Sequence, residues 1–71
     1  MAQVDGLYEF FEKARKEGLY LGLQLSEDHI PGYVKETYRD YVVITTKTNS
    51  GREIRIPFYT INTIIIYFHS S

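Results

Sequence analysis

The sequence predicts a mainly β domain, in which an N-terminal α-helix precedes five short strands that form a small, strongly bent antiparallel barrel. An apolar stripe with helical spacing occupies the first part of the chain and ends at Gly18. Apolar and polar residues then alternate in short runs, which is typical of strands with one buried face. Turn-forming residues separate these runs at short intervals, and the 71 residues together make one domain.

The helix is predicted over residues 6–17. Asp5 can cap its N-terminus, and Gly18 can end it in a left-handed conformation. The apolar face combines residues three or four positions apart with two flanking aromatic residues: Leu7, Phe11 and Ala14, with Tyr8 and Phe10 beside them. Ion pairs four positions apart are expected on the exposed side: Glu9–Lys13 and Glu12–Lys16. The basic residues of the last turns are interpreted as compensation of the helix dipole: Lys13, Arg15 and Lys16.

The first two strands are predicted over residues 19–25 and 30–38. Leucines occupy every second position of the first strand: Leu19, Leu21, Leu23 and Leu25. The polar turn Ser26-Glu27-Asp28-His29 separates the two strands. Pro31 lies at the start of the second strand, where a missing N–H is tolerated, and Gly32 indicates a bend or a close approach of another backbone.

The last three strands are predicted over residues 41–47, 52–58 and 61–68. Arg39-Asp40 makes a tight reversal before the third strand, and the polar turn of residues 48–51 has Gly51 where a positive φ would be needed. Side chains of the fourth strand are expected to alternate between the two faces: Ile54, Ile56 and Phe58 inward, with Glu53 and Arg55 outward. The fifth strand is apolar on both faces from Ile64 onward.

The apolar run of residues 64–68 predicts self-assembly. A chain of 71 residues has a small core, and natural domains of this size usually add disulfides, a metal ion or a partner subunit. The absence of cysteine excludes disulfides and Cys-based zinc sites, and His29 and His69 are isolated from each other. An uncovered strand edge of this composition would also aggregate. We therefore expect a homo-oligomer, in which a second copy covers this strand.

Motif content argues against catalysis. Ser26, Asp28 and His29 suggest a catalytic triad at first sight, but they share one tight turn, whereas a triad needs groups from separated elements and a buried acid. The sequence has no glycine-rich phosphate loop, metal-ligand spacing or cofactor motif, and so small a barrel has no room for an interior pocket. We expect no enzyme activity, no cofactor, no metal site and no small-molecule substrate.

Net charge and hydropathy bear on partners and location. A net charge of −1 is not that of a polycation, so only a local basic patch could bind nucleic acid. The final apolar run is too short to span a membrane, and no targeting segment is recognisable. We therefore expect no membrane association and a cytoplasmic location.

Two short motifs accompany this order of elements. The first is a glycine-led opening of a strand, followed by a reversal that ends in Asp and an aromatic residue: Gly32-Tyr33-Val34, then Arg39-Asp40-Tyr41-Val42-Val43-Ile44. The second is a short turn that leads into an Ile-rich strand: Ile56-Pro57-Phe58-Tyr59-Thr60-Ile61-Asn62-Thr63-Ile64. In these motifs and in its element order, the chain resembles the Sm-like family, particularly its bacterial Hfq branch, and also small uncharacterised Sm-like proteins of Gram-positive bacteria.

The resemblance implies a fold and a mode of assembly. Sm-like proteins have an N-terminal helix and a strongly bent, SH3-like barrel of five strands. In Sm-like rings the fourth strand of one subunit pairs with the fifth strand of the next. The interface residues that this implies here are Ile54, Ile56, Phe58, Ile64, Ile65, Ile66 and Tyr67. A dimer in which the fifth strand pairs with itself would meet the same physical need.

The resemblance also implies a site for single-stranded RNA. In the Hfq pattern the aromatic residue after the reversal stacks on a base, and Tyr41 occupies that position. Hfq typically has Lys-His before its last strand, where it meets uridine-rich RNA, whereas Phe58 and Tyr59 stand there in this chain. Tyr59 could therefore supply a second stacking face. The candidate phosphate contacts are Arg39, Arg55 and Lys35.

Two of the RNA candidates, Tyr41 and Arg55, also have a structural interpretation. Tyr41 could pack across strands at the end of a hairpin, and Arg55 could be an ordinary solvated strand residue, while Tyr33 and Tyr38 are assigned to packing or to an interface. The leading hypothesis is a non-enzymatic, Hfq-like homo-oligomer that weakly binds single-stranded RNA in post-transcriptional regulation. The alternative is an oligomeric structural or interaction protein of the same fold with no nucleic-acid role.

Overall fold

An N-terminal helix and a five-stranded antiparallel sheet make up the computed structural model, which describes residues 3–46 and 51–68. The elements in chain order are α1 (Gln3–Glu17), β1 (Tyr20–Gln24), β2 (His29–Thr37), β3 (Tyr41–Thr45), β4 (Glu53–Pro57), a 3₁₀ turn (Phe58–Thr60) and β5 (Thr63–Phe68). The mainly β class, with a helix before five antiparallel strands, is confirmed.

The order of strands across the sheet is β4-β3-β2-β1-β5, and every neighbouring pair is antiparallel. The first four strands are therefore neighbours in chain order, whereas β5 returns to the far side and pairs with β1. This order leaves β4 and β5 at the two edges of the sheet. Each edge strand has one side of its backbone without a strand partner among the described residues.

The start of α1 differs from the sequence prediction, whereas its end agrees with it. The helix begins at Gln3, so Asp5 lies inside the first turns and the prediction of an Asp5 cap is wrong. Gly18 has a φ of 68°, as predicted for a left-handed terminator. The N–H of Leu19 donates to the carbonyl of Ala14 at 3.1 Å, and both residues are buried, which is the Schellman arrangement of a helix end.

The ion pairs of α1 also differ from those predicted. The Arg15 guanidinium lies 2.8 Å from the Glu12 carboxylate, so Glu12 pairs three positions ahead and not with Lys16. Among the described residues, no ion pair joins Glu9 to Lys13. The hydrogen bond from Arg15 holds the pKa of Glu12 below its ordinary value. With 15 residues of mixed polarity, α1 falls short of what a membrane-crossing helix requires, and the described residues contain no other α-helix.

The core lies between α1 and one face of the sheet. Alternate positions of the strands supply most of it, as the sequence predicts, and the helix contributes its apolar stripe. The buried residues of the core cluster are Phe11, Ala14, Leu19, Leu21, Leu23, Val34, Val42, Ile44, Ile56 and Phe58. Leu25, predicted in the first strand, lies just beyond β1 and is partly buried. The rings of Phe11 and Phe58 stack at 5.5 Å, which joins the helix to the 3₁₀ turn.

Strand β2 has two special positions, Gly32 and Lys35. A Cβ at Gly32 would lie 2.5 Å from Cγ2 of Ile44 and 2.6 Å from the carbonyl oxygen of Thr45, so the predicted close approach is confirmed. The β2–β3 register then shifts between Val34 and Glu36, which leaves Lys35 as the extra residue of a bulge.

The connection between β3 and β4 is described only in part. Gly51 has the predicted positive φ, at 60°. Lys47, at the end of the predicted third strand, and Thr48-Asn49-Ser50 of the predicted turn lie outside the described residues, as does His69.

Candidate nucleic-acid interface

An open depression lies where the β2–β3 reversal meets the 3₁₀ turn. Its volume is about 430 Å³, and its lining residues are Asp40, Tyr41, Arg55, Pro57 and Tyr59. Three of the five residues predicted to contact RNA, namely Tyr41, Arg55 and Tyr59, therefore lie together, although 18 positions separate the first of them from the last. Arg39 and Lys35 are exposed, and neither of them lines the depression.

Backbone hydrogen bonds bring the two halves of this site together. Tyr41 is the first residue of β3 and faces Pro57, the last residue of β4, in the strand register. The N–H of Phe58 donates to the carbonyl of Asp40 at 3.0 Å, and the N–H of Tyr38 donates to the carbonyl of Tyr41 at 2.8 Å. The reversal and the 3₁₀ turn are thus tied directly to each other.

The 3₁₀ turn presents Tyr59 to solvent. The Thr60 hydroxyl donates to the Pro57 carbonyl at 2.7 Å, and the N–H of Ile61 donates to the Phe58 carbonyl at 3.1 Å. Phe58 is buried against Phe11, which anchors the turn on the core. Tyr59 follows this anchor and is 89% exposed, more than any other large hydrophobic side chain that the structure describes. The turn therefore holds an aromatic ring at the rim of the depression.

Tyr41 is partly covered by its neighbour across the reversal. The rings of Tyr38 and Tyr41 stack with centroids 4.6 Å apart and an interplanar angle of 16°. The Arg55 guanidinium carbon lies 6.0 Å from the Tyr41 centroid, at the outer limit of a cation–π contact. At most one face of Tyr41 is therefore left for a nucleobase.

Tyr38 is held in this position by a second contact. Its hydroxyl donates a short hydrogen bond to the Glu36 carboxylate. That bond, together with the negative charge of Glu36, raises the pKa of Tyr38 above its ordinary value. The contact with Glu36 therefore holds Tyr38 against Tyr41, and Tyr41 lines the depression.

The charged residues around the depression differ in their partners. Lys35 lies 3.3 Å from Glu53, so this candidate phosphate contact has an acidic neighbour. Arg55 and Asp40 line the same depression, yet they form no ion pair, and the Asp40 carboxylate has no hydrogen-bond partner among the described residues. A cation and an anion that do not pair with each other thus lie in the same depression as Tyr41 and Tyr59.

Sequence analysis did not identify Tyr38, Asp40 and Pro57 as part of this site. A signal for Tyr38 was available, because Tyr38 and Tyr41 flank the two-residue reversal Arg39-Asp40 and a tight reversal brings such positions together. Asp40 and Pro57 depend on the docking of the 3₁₀ turn onto the reversal, and no local pattern indicates that contact.

The predicted interface residues divide between the surface and the core. Ile65, Ile66 and Tyr67 are 39%, 53% and 49% exposed on the edge strand β5. Ile54 and Ile64 are partly buried and pack against the core. The side chains of Ile56 and Phe58 are buried in the core, as their predicted inward orientation requires. The surface that β4 offers to a partner is therefore mainly backbone together with Glu53 and Arg55.

A second aromatic cluster lies over β1, β2 and β5. The Tyr67 hydroxyl lies 2.6 Å from Nε2 of His29, and Nδ1 of His29 lies 3.1 Å from Oε1 of Gln24. The ring of Tyr20 contacts those of Tyr33 and Tyr67, with centroids 5.1 and 5.7 Å apart. His29 is thus engaged with Tyr67 and Gln24. Among the described residues, no three His, Asp or Glu side chains lie close enough to share a metal ion.

Comparison with known proteins adds no family to this description. No protein-family model matches the chain, and no curated protein matches it significantly.

Proposed function

We propose that this protein is a non-enzymatic, Sm-like homo-oligomer that weakly binds single-stranded RNA, as an Hfq-like factor in post-transcriptional regulation. The observation that carries the RNA assignment is the convergence of Tyr41, Tyr59 and Arg55 on one depression. Stacking of a base on an aromatic ring contributes about 1–3 kcal/mol and tolerates any base, while a nearby guanidinium can contact phosphate. Arg39 lies outside the depression, where it can meet the next phosphate along the strand.

The order of the strands supports the Sm-like part of the proposal. In Sm-like rings the fourth strand of one subunit pairs with the fifth strand of the next, and β4 and β5 are the edges of this sheet. The exposed β5 side chains Ile65, Ile66 and Tyr67 are those that a neighbour would cover. A ring would repeat the depression in every subunit, so that weak sites act together on one RNA strand.

Titration of fluorescent U-rich and A-rich oligonucleotides at two salt concentrations tests the proposal. We expect saturable binding that weakens at the higher salt concentration, because phosphate contacts release counterions. Tyr41→Ala and Tyr59→Ala should each weaken binding by about 5- to 150-fold, the equivalent of one lost stacking contact. Tyr8→Ala is the matched control, because Tyr8 is an exposed tyrosine of α1 that does not line the depression.

The same titration decides against the proposal in two ways. An absence of saturable, salt-sensitive binding at tens of micromolar protein contradicts RNA binding altogether. Binding that survives both Tyr41→Ala and Tyr59→Ala unchanged contradicts this depression as the site.

The second candidate is an oligomeric structural or interaction protein of the same fold without a nucleic-acid role. Two observations favour it: the free carboxylate of Asp40 in the depression, and the net charge of −1, which does not attract a polyanion. A stable oligomer that binds neither oligonucleotide would support this candidate.

A further inference from the structure

The free carboxylate of Asp40 is the least expected group in a site for RNA. Asp40 is exposed and lines a depression with two tyrosines and an arginine, and its carboxylate pairs neither with Arg55 nor with any other described residue. A carboxylate repels the phosphates of RNA, so its presence in an RNA site is unfavourable unless the ligand donates hydrogen bonds to it. The two oxygens of a carboxylate accept hydrogen bonds best from two adjacent donors.

Only one of the four RNA bases presents such a pair of donors on its Watson–Crick edge. Guanine has N1–H next to the N2 amino group. Uracil has a single N3–H between two carbonyl oxygens, which a carboxylate would repel. Adenine and cytosine each have one amino group next to a ring nitrogen that accepts, so each gives the carboxylate at most one good hydrogen bond.

We infer that the depression selects guanine in single-stranded RNA, with Asp40 accepting hydrogen bonds from N1–H and N2–H of the base. Tyr59, whose ring is almost fully exposed, supplies the stacking face, and Arg55 lies in the same depression to contact a phosphate. The inference rests on the proposed RNA binding and names the base that the site prefers. Stacking alone would leave the site indifferent to sequence, whereas the carboxylate makes it selective.

Competition between oligonucleotides of equal length tests this selectivity. The probe is a fluorescent U-rich RNA with isolated guanines, which avoids guanine quadruplexes, and its competitors have adenine or inosine at the same positions. We expect the guanine RNA to bind about 5- to 150-fold more tightly than the adenine RNA, the range for a bidentate contact to one base. The inosine RNA should bind with intermediate affinity, because inosine keeps N1–H and lacks the N2 amino group.

Asp40→Asn is the variant that isolates the carboxylate. The amide keeps the size of the side chain, and the carbonyl that accepts from Phe58 belongs to the backbone, so the reversal is retained. Asp40→Asn should abolish the preference for guanine while binding of the U-rich RNA without guanine persists. Asp28→Asn is the matched control, because it removes one exposed carboxylate in the β1–β2 turn, outside the depression.

The outcomes separate this inference from the proposal on which it rests. Equal affinity for the guanine and adenine RNAs overturns guanine selection and leaves RNA binding standing. A guanine preference that survives Asp40→Asn overturns the role of Asp40. If no RNA binds saturably, both the inference and the proposed function are overturned. The comparison of guanine with inosine on the unaltered protein keeps the test valid if Asp40→Asn does not fold.

Discussion

Neighbouring side chains decide what each tyrosine near the depression can do. Tyr59 has no ring contact among the described residues and is almost fully exposed, so both of its faces are open to a ligand. Tyr41 has one face covered by Tyr38, and Tyr38 is itself anchored on Glu36. The three rings therefore differ in the contacts left open to them: Tyr59 can stack on either face, Tyr41 on at most one, and Tyr38 supports Tyr41.

The contact between Tyr38 and Glu36 predicts an unusual titration. The folded protein raises the pKa of Tyr38, first through its hydrogen bond to Glu36 and then through the charge of that carboxylate. This contribution to stability is fully present below the ordinary phenol pKa and is lost as the pH rises through the pKa of Tyr38. Subtracting the ultraviolet absorbance titration of Tyr38→Phe from that of the unaltered protein should isolate one late phenol.

Glu36→Gln should return this titration toward that of an ordinary tyrosine, because the charge that opposes phenolate formation is removed. A Tyr38 phenol that ionises together with exposed tyrosines in the unaltered protein would contradict the anchored stack.

Strand β2 is the element that positions the site, because it leads into the reversal. Its nine residues include Gly32, where β3 approaches closely, and a bulge at Lys35. A bulge increases the local twist of a strand pair. Beyond this bulge, the reversal between β2 and β3 meets the 3₁₀ turn, where the N–H of Phe58 donates to the carbonyl of Asp40.

Gly32→Ala should destabilise the protein by about 1–3 kcal/mol, because the added Cβ would meet the backbone of Thr45 and the side chain of Ile44. Urea denaturation followed by circular dichroism measures the free energy of unfolding. Gly6→Ala is the matched control: a Cβ there meets nothing within 4 Å, and Ala in a helix is favoured over Gly by roughly 0.5–1 kcal/mol.

Opposite shifts of the two alanine variants would support the close approach of β2 and β3. An unfolding midpoint for Gly32→Ala equal to that of the unaltered protein would contradict it.

The whole molecule has two edge strands, β4 and β5, and each has one side of its backbone without a strand partner among the described residues. On β5 the edge also has exposed apolar side chains, with Ile66 53% exposed. An edge of this kind pairs readily with another chain, since both its backbone groups and its apolar surface gain from being covered. The β4 edge can serve as the complement, and heterologous pairing of β4 with β5 closes a ring when the rotation between subunits divides the circle.

Light scattering after gel filtration tests this assembly, and we expect an oligomer. Ile65→Lys should give a monomer or insoluble protein, because it places a charge in the surface that the neighbour covers. Ser26→Lys adds the same charge at an exposed position of the β1–β2 turn and should leave the oligomer intact. A monodisperse monomer of the unaltered protein would contradict self-assembly.

If Ile65→Lys instead remains a soluble oligomer of unchanged size, then β5 does not form the interface. The subunits of the oligomer would then contact each other through a surface other than β5.

The sequence by itself determined the elements and the faces that they bury. The spacing of apolar residues indicates which side of a helix or strand is buried. This periodicity correctly assigned five residues to the core: Phe11, Ala14, Leu21, Leu23 and Ile56. The sequence also located the end of α1 just before Gly18, because a left-handed terminator is a local requirement that glycine meets. The start of the same helix was misplaced, because Asp5 is compatible both with a cap and with the first turns.

Only the tertiary structure decided which residues of different elements meet. The bond between Tyr67 and His29 joins positions 38 residues apart, and the depression depends on the docking of Phe58 onto Asp40. Such contacts follow from the order and register of the strands, and local patterns do not contain that information. The sequence motifs could therefore suggest stacking by Tyr41 and Tyr59. Only the folded structure shows that Tyr38 covers one face of Tyr41 and that the carboxylate of Asp40 has no partner among the described residues.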